Sequence, residues 1–262
     1  MFHYFGYGSN LNLTSLRAKG VEPLSSEKGV LHGWELAFNV RHWFRHEGGV
    51  GNIISSINNN AQVHGMLHLC EDEHLPLLDA VEAYGTGYDR VEVEVETNHG
   101  IVKATTYVGM PGYLDNNCLP TRRYLNIILK GAIDAGLDEA YVDKLRKQPL
   151  NPVKDYPEYQ HPANSESVFN QETLNNYPMY TALAGAVFDM QNARNDLHCL
   201  FELFGGKDMT LFHLKRHDTS DGSETLEDIK LGNISEPGHK YLNAYLHEYS
   251  REFKYVGRYS YD

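Results

Sequence analysis

Cysteine is scarce: Cys70, Cys118 and Cys199 are the three in 262 residues, an odd set with no CxxC spacing. They read as free thiols of a reducing compartment, which excludes a disulfide framework or a zinc knuckle. Long apolar runs are missing too. No stretch approaches the about 18 uninterrupted apolar residues of a membrane span, and residues 1–10 lack a cationic segment followed by an apolar one. Neither membrane nor secretion is expected, and the cytoplasm is the expected location. Positive charge is in deficit, Lys plus Arg numbering 23 against 35 Asp plus Glu for a formal net charge of −12. That balance opposes binding to phosphate backbones, so nucleic acid is not an expected partner. HExxH, GxSxG and GxxxxGK[ST] do not occur, which leaves no support for zincin, serine hydrolase or P-loop chemistry.

What is present suffices for packed cores. Hydrophobic residues make up 41%, which excludes wholesale disorder, and the length favours two modest domains over one large one. Residues 1–148 alternate extended and helical patterns. Residues 149–178 carry Pro149, Pro152, Pro157, Pro162 and Pro178 among Asn, Ser and Gln and read as a linker wrapped on the first domain. Residues 179–262 form a smaller second domain with one apolar extended run and several helical ones.

In the first part, Val91, Val93 and Val95 alternate with Glu92, Glu94 and Glu96, and Asn98-His99-Gly100 precedes a second extended run from Ile101 to Val108: a hairpin with one wet face. Residues 62–69 alternate likewise. Leu125, Ile128, Leu129 and Ala132 predict a helix over 121–135, ended by Gly136. Strands dominate, so the expected class is α+β, a small mixed β-barrel with flanking helices. His42 and His46, and His64 and His68, have the i, i+4 spacing of helical metal ligands, but they lie in strand or loop patterns and are expected to face solvent.

Two features stand out. Asp72 is placed to cap a helix running to about Ala83, and on it Leu75, Leu78 and Glu82 share a face, so Glu82 occupies an apolar slot. Either the helix end frays and the carboxylate meets water, or a partly desolvated carboxyl is set to move protons. The opening strand runs straight into Gly8-Ser9-Asn10, where glycine permits close backbone approach and successive N–H groups can cradle an anion, although a plain strand-to-helix turn accounts for the same residues.

Tyr7-Gly8-Ser9-Asn10-Leu11, then Leu78-Asp79-Ala80-Val81-Glu82 followed by Gly85 and Tyr88, then Tyr124 within 120–132, resemble in order and spacing the γ-glutamylcyclotransferase family over about residues 2–147. The resemblance implies an enzyme that cyclises a small-molecule γ-glutamyl substrate to 5-oxoproline by attack of its own α-amine, releasing an amine or amino acid. Glu82 would be the catalytic residue. Tyr7, Tyr88, Tyr124 and the backbone N–H groups of Gly8, Ser9, Asn10 and Leu11 would bind substrate, with no metal or organic cofactor. The rival reading is a non-catalytic binding protein built on a retired fold of this kind. Glu82 discriminates, since such a fold has no need of a carboxyl on an apolar stripe.

In the second part, Ala182–Met190 read as one strand, Leu203–Thr210 with its Gly-Gly-Lys-Asp turn, and Phe253–Arg258 resemble the cytochrome b5-like haem/steroid-binding family, in its membrane-associated progesterone receptor branch. That implies a small α+β module with a pocket between helices. The segment in which that branch carries tyrosines is shortened here to residues 195–202, and His198, Cys199, His213 and His217 are the nearby donor candidates. No haem is expected. Leu197, Leu200 and Phe201 are expected to fill the space, and the module to pack against the enzyme, a second copy in a homodimer or a protein partner.

Overall fold

The computed structural model describes residues 1–58, 60–162 and 167–262, and it divides into two compact units. The first comprises residues 1–42 and 47–153, the second residues 43–46 and 154–262.

The first unit is built on a closed five-stranded barrel. Its strands are β1 (Phe2–Gly6), β2 (Ser25–His32), β5 (Gln62–Cys70), β6 (Tyr88–Thr97) and β7 (Gly100–Gly109), ordered β1-β5-β2-β6-β7 and closed by a parallel contact between Tyr4 and Thr105. Alternation decides the interior: Phe5, Leu31, Val63, Leu67, Val93 and Val95 are buried together, while Glu92, Glu94 and Glu96 stay outside. The β6–β7 hairpin pairs Thr97 with Gly100 at its tip. A separate ribbon joins β3 (Trp34–Arg41) to β4 (Gly49–Ser55). Around these lie α1 (Leu13–Arg17), α2 (Leu75–Glu82), α3 (Arg122–Asp134) and α4 (Glu139–Arg146). Thr121 caps α3 by accepting from the Tyr124 N–H, and Gly136, at φ +61°, turns the chain beyond it.

Two local expectations are corrected. Asp72 does not cap α2: residues 72–74 form a 3₁₀ turn and α2 begins at Leu75, because Pro76 is tolerated only in a helix's first turn. His68 does not face solvent. It is fully buried, because the second face of β5 is covered as well, with Met66 packed against α3 and α4 residues. His64 is half-buried, stacked on Tyr141.

The second unit holds a five-stranded sheet, ordered β11-β9-β10-β12-β8, from β8 (Val168–Phe169), β9 (Tyr180–Leu183), β10 (Ala186–Asp189), β11 (Lys207–Asp208) and β12 (Lys254–Tyr259). Its helices are α5 (Gln171–Leu174), α6 (Phe201–Phe204), α7 (Thr210–Lys215), α8 (Leu226–Leu231) and α9 (Glu236–Glu252). The single strand expected over 182–190 is two. Ala184 and Gly185 both adopt positive φ, +45° and +82°, which is the two-residue turn that matches strand twist and folds β9 back on β10. The expected linker is largely part of this unit: Tyr156 donates to Glu248 at 2.8 Å, Tyr159 N–H donates to Asn243 at 2.8 Å, and β8 pairs with β12. Residues 163–166, within that expected linker, lie outside the described residues. The core gathers Phe44, Phe188, Leu197, Leu200, Phe204, Tyr245, Tyr249 and Phe253. Among the described residues, no helix is long and apolar enough to cross a membrane.

Candidate active site

At one end of the barrel unit the chain leaves β1 through Tyr7-Gly8 into a 3₁₀ turn, Ser9–Leu11, and Asn12 then caps α1 by accepting from the Ser15 N–H. Across from this turn, α2 ends at Glu82 because Ala83 adopts a left-handed conformation, φ +48°. The helix therefore delivers a carboxylate in its last turn, where its side chain is 17% exposed, neither frayed into water nor fully enclosed.

Glu82 Oε1 accepts from Asn10 Nδ2 at 2.9 Å, and the same amide donates to the Tyr4 hydroxyl at 2.6 Å. The Asn10 carbonyl is held from behind by His68 Nε2 at 3.0 Å, with Ser26 Oγ 2.7 Å from Nδ1. A carbonyl can only accept, so Nε2 carries the proton and Nδ1 receives the serine hydroxyl. Burial pulls the His68 pKa down to about 4, which keeps this neutral tautomer in place.

Tyr88 donates to Gly51 O at 2.7 Å, and the Gly51 N–H donates to the Tyr124 hydroxyl at 3.0 Å. A Cβ on Gly8 would lie 3.0 Å from that hydroxyl and one on Gly51 3.1 Å, so both glycines are needed for close approach. Tyr7 donates to Tyr107 O at 2.5 Å, and Tyr107 donates to Asp79 at 2.7 Å. Burial first, and the Glu82 charge after it, push the phenols of Tyr4 and Tyr7 well above their usual range. Burial likewise lifts Tyr88, and takes Tyr124 to about 12. Every one of these hydroxyls is a neutral hydrogen-bonding group at ordinary pH.

Tyr7, Gly8, Ser9, Asn10, Glu82, Tyr88 and Tyr124 thus line one narrow cleft, with Tyr4, Gly51 and Tyr107, around a cavity of about 30 Å³. Leu11 does not join them. Its side chain is buried in the α3–α4 core and its N–H donates to Gly8 O at 3.0 Å to close the turn, so it has no donor for a ligand. Larger depressions lie elsewhere, about 310 Å³ beside His32, His64 and Glu96 and about 410 Å³ beside His217, Glu224 and Asp228. Neither joins a glycine turn to a half-buried carboxylate, so volume does not mark the site.

Sequence patterns missed Tyr4, Lys19, Gly51, His68 and Tyr107. Tyr4 and His68 sit in alternating strand patterns that gave no sign of a second covered face, and Lys19 follows Arg17 in a stretch that reads as solvated. A lysine whose side chain is 3% exposed becomes visible only in three dimensions. In the second unit, Leu197 and Leu200 lie in the core and Phe201 packs against it. His198 Nε2 lies 3.3 Å from Ala193 O, and buried His213 lies 3.0 Å from the Tyr249 hydroxyl.

Residues 62–145 match the model of the AIG2-like family. Among solved structures the chain is similar to one described as a gamma-glutamyl cyclotransferase, with 25% identity, 59% of this chain and 92% of that one covered, and a TM-score of 0.52. It is similar in the same degree to an uncharacterized protein from Homo sapiens, with 26% identity, the same coverage of 59% and 92%, and a TM-score of 0.52. No curated protein sequence matches. These likenesses give no support to a cytochrome b5-like second unit. Within the barrel unit, residues 62–145 are thus similar in sequence to the AIG2-like family, and the chain is similar in fold to the structure described as a gamma-glutamyl cyclotransferase.

Proposed function

We propose that this protein is an enzyme of the cyclotransferase kind, converting a γ-glutamyl amino acid or γ-glutamyl amine to 5-oxoproline and the free amino acid or amine. The observation that carries the reading is Glu82: a half-buried carboxylate, oriented through one oxygen by Asn10 and facing a cleft edged by Gly8 and Ser9. The substrate's α-amine attacks its own γ-carbonyl carbon while Glu82 takes a proton from that amine. The tetrahedral intermediate then collapses, the bond to the leaving nitrogen breaks, and Glu82 returns the proton to that nitrogen. The nucleophile is tethered to its target, so a cleft that holds the glutamyl chain folded supplies most of the advantage, effective molarities for such closures reaching about 10⁵ M or more. Backbone N–H groups of Gly8, Ser9 and Asn10 are the donors for the α-carboxylate or the developing oxyanion, since Leu11 N–H is spent in the turn. We read the second unit as a packing or docking module and the cytoplasm as the site of action.

Incubation of the full chain with a γ-glutamyl panel, following 5-oxoproline, tests this directly. Glu82→Gln keeps shape but cannot accept the proton, so turnover should fall by on the order of 10² or more in a folded protein. Undiminished release from that variant would refute the assignment.

A further inference from the structure

Lys19 lies just beyond α1, where its N–H donates to Leu16 O at 3.0 Å. Its ammonium donates to Ser9 Oγ at 3.0 Å and to Asn10 Oδ1, and stands 4.0 Å from Glu82 Oε1. A lysine with its side chain 3% exposed is costly to fold in unless acceptors and an opposite charge replace the lost water. Among the described residues, Lys19 is the only cation within ion-pair distance of Glu82.

We propose that Lys19 is the positioning residue of this site: from behind the cleft it fixes the Asn10 amide, holds Glu82 ready to accept a proton, and drives that proton onward. The proposal rests on the cyclotransferase reading above. Lys19 does not line the cleft, so it acts through its neighbours and not on substrate. An ammonium can only donate, so it selects the Asn10 oxygen, and the amide nitrogen must then turn to Glu82 Oε1 and the Tyr4 hydroxyl. The other titratable groups facing Glu82 are Tyr4 on β1, Tyr7 beyond it, Tyr88 on β6, Tyr107 on β7 and Tyr124 on α3, all kept neutral by burial. Asp79, on α2 itself, is occupied by Tyr107 and by Arg90 at 3.5 Å.

The consequence for the reaction is a return stroke. When Glu82 takes the α-amine proton, its carboxylate charge disappears and the buried Lys19 ammonium loses the opposite charge that stood 4.0 Å away. Passing the proton to the leaving nitrogen as the carbon–nitrogen bond breaks restores the pair. The proton comes from the substrate's amine and ends on the released amine, and no other reactant is needed.

The test combines Lys19→Met, Lys19→Gln and Lys19→Arg, each in the wild-type and the Glu82→Gln background, in the full chain. Lys19→Gln retains donors without the charge and serves where the methionine variant fails to fold. Thermal unfolding should show coupling: removing the lysine charge lowers Tm with Glu82 present, and lowers it less or raises it once Glu82 is Gln. In kinetics, loss of the charge should cut kcat on the order of ten-fold or more while KM moves little, and should shift the acid limb of kcat/KM to higher pH. Lys19→Arg should recover part of both. Additive Tm changes, or an unaltered kcat and acid limb in a folded uncharged variant, would overturn the proposal. If wild-type protein releases no 5-oxoproline from any panel member, the cyclotransferase reading fails and the return stroke with it, while the Tm coupling still decides whether Lys19 and Glu82 are a pair.

Discussion

Tyr88 and Tyr124 hold Gly51 by both of its backbone groups, one donating to its carbonyl at 2.7 Å and the other accepting from its N–H at 3.0 Å. The two tyrosines stand at the start of β6 and in the first turn of α3, so the clamp ties a strand, a helix and the β4 edge to the Gly8 turn. Tyr124→Phe leaves the buried Gly51 N–H without its acceptor, a loss of about 1–3 kcal/mol. The Gly8 turn loses the hydroxyl against which it lies, 3.0 Å from where a Gly8 Cβ would stand. A lower Tm together with a raised KM for every γ-glutamyl substrate is the expected result, read by calorimetry and steady-state kinetics. A Tyr124→Phe protein with wild-type KM would deny the clamp a part in binding.

Gly8→Val places a branched side chain where even a Cβ comes within 3.0 Å of the Tyr124 hydroxyl. The turn would be pushed off the tyrosine, and affinity should fall alike across leaving groups, because the turn serves the shared glutamyl end. Competition by a non-cleavable γ-glutamyl analogue measures this. A loss confined to one leaving group contradicts the placement.

His68 carries a pH signature. Its folded pKa is drawn down to about 4 by burial, against about 6.5 unfolded, so below about pH 6.5 the unfolded chain binds a proton that the folded chain refuses. The stabilisation is complete above pH 6.5 and is lost progressively as pH falls toward 4. Histidine NMR should show one ring neutral at pH 5, absent from spectra of His68→Gln. Titration of that ring near 6.5 would refute the burial argument.

Asp208 runs the other way. Its carboxyl accepts from the Thr210 hydroxyl at 2.6 Å and the Thr210 N–H at 3.2 Å, and burial raises its pKa to about 6. Folding there takes up a proton between about pH 3.8 and 6, so stability declines as pH rises through that window and stays lower above it. Asp208→Asn keeps an acceptor without the charge and should stabilise above pH 6 by on the order of 1–2 kcal/mol, with allowance for partial exposure. Below pH 4 the gain should vanish. Equal Tm shifts at pH 4 and pH 8 would exclude the charge as its cause.

Phe44 stacks on Tyr249 at 5.1 Å and on Phe204 at 6.4 Å between ring centroids, and meets Tyr245 and Phe253 edge-on. Phe44→Ala should cost about 3–5 kcal/mol in the second unit, since a ring 2% exposed leaves a cavity that its neighbours fill poorly. Denaturant unfolding followed by near-ultraviolet dichroism reports it. Unchanged unfolding of these aromatics would remove Phe44 from the core.

Periodicity alone determined much of this protein. Alternation with a period of two in Val91–Glu96 and a 3.6-residue period in Leu125–Ala132 placed a hairpin and a helix, because each pattern has one geometry that buries its apolar side. An acid in an apolar slot at Glu82 and a glycine turn at the end of a strand had two readings each on pattern alone, and only their resemblance to a known family's motifs singled them out. Tertiary structure decided the rest, since it depends on pairs far apart in sequence. Asn10 finds Glu82 across 72 residues, and Gly51 finds Tyr124 across 73. Lys19 turns from a surface residue into a buried counter-charge once α2 and the Ser9 turn meet over it. Phe44, in a short loop between two strands, belongs to a core whose other members begin beyond residue 180, and no local pattern carries that information. The Ala184-Gly185 turn fails for the opposite reason: both residues suit an apolar strand, and only positive φ at alanine, which sequence does not advertise, makes two strands of one.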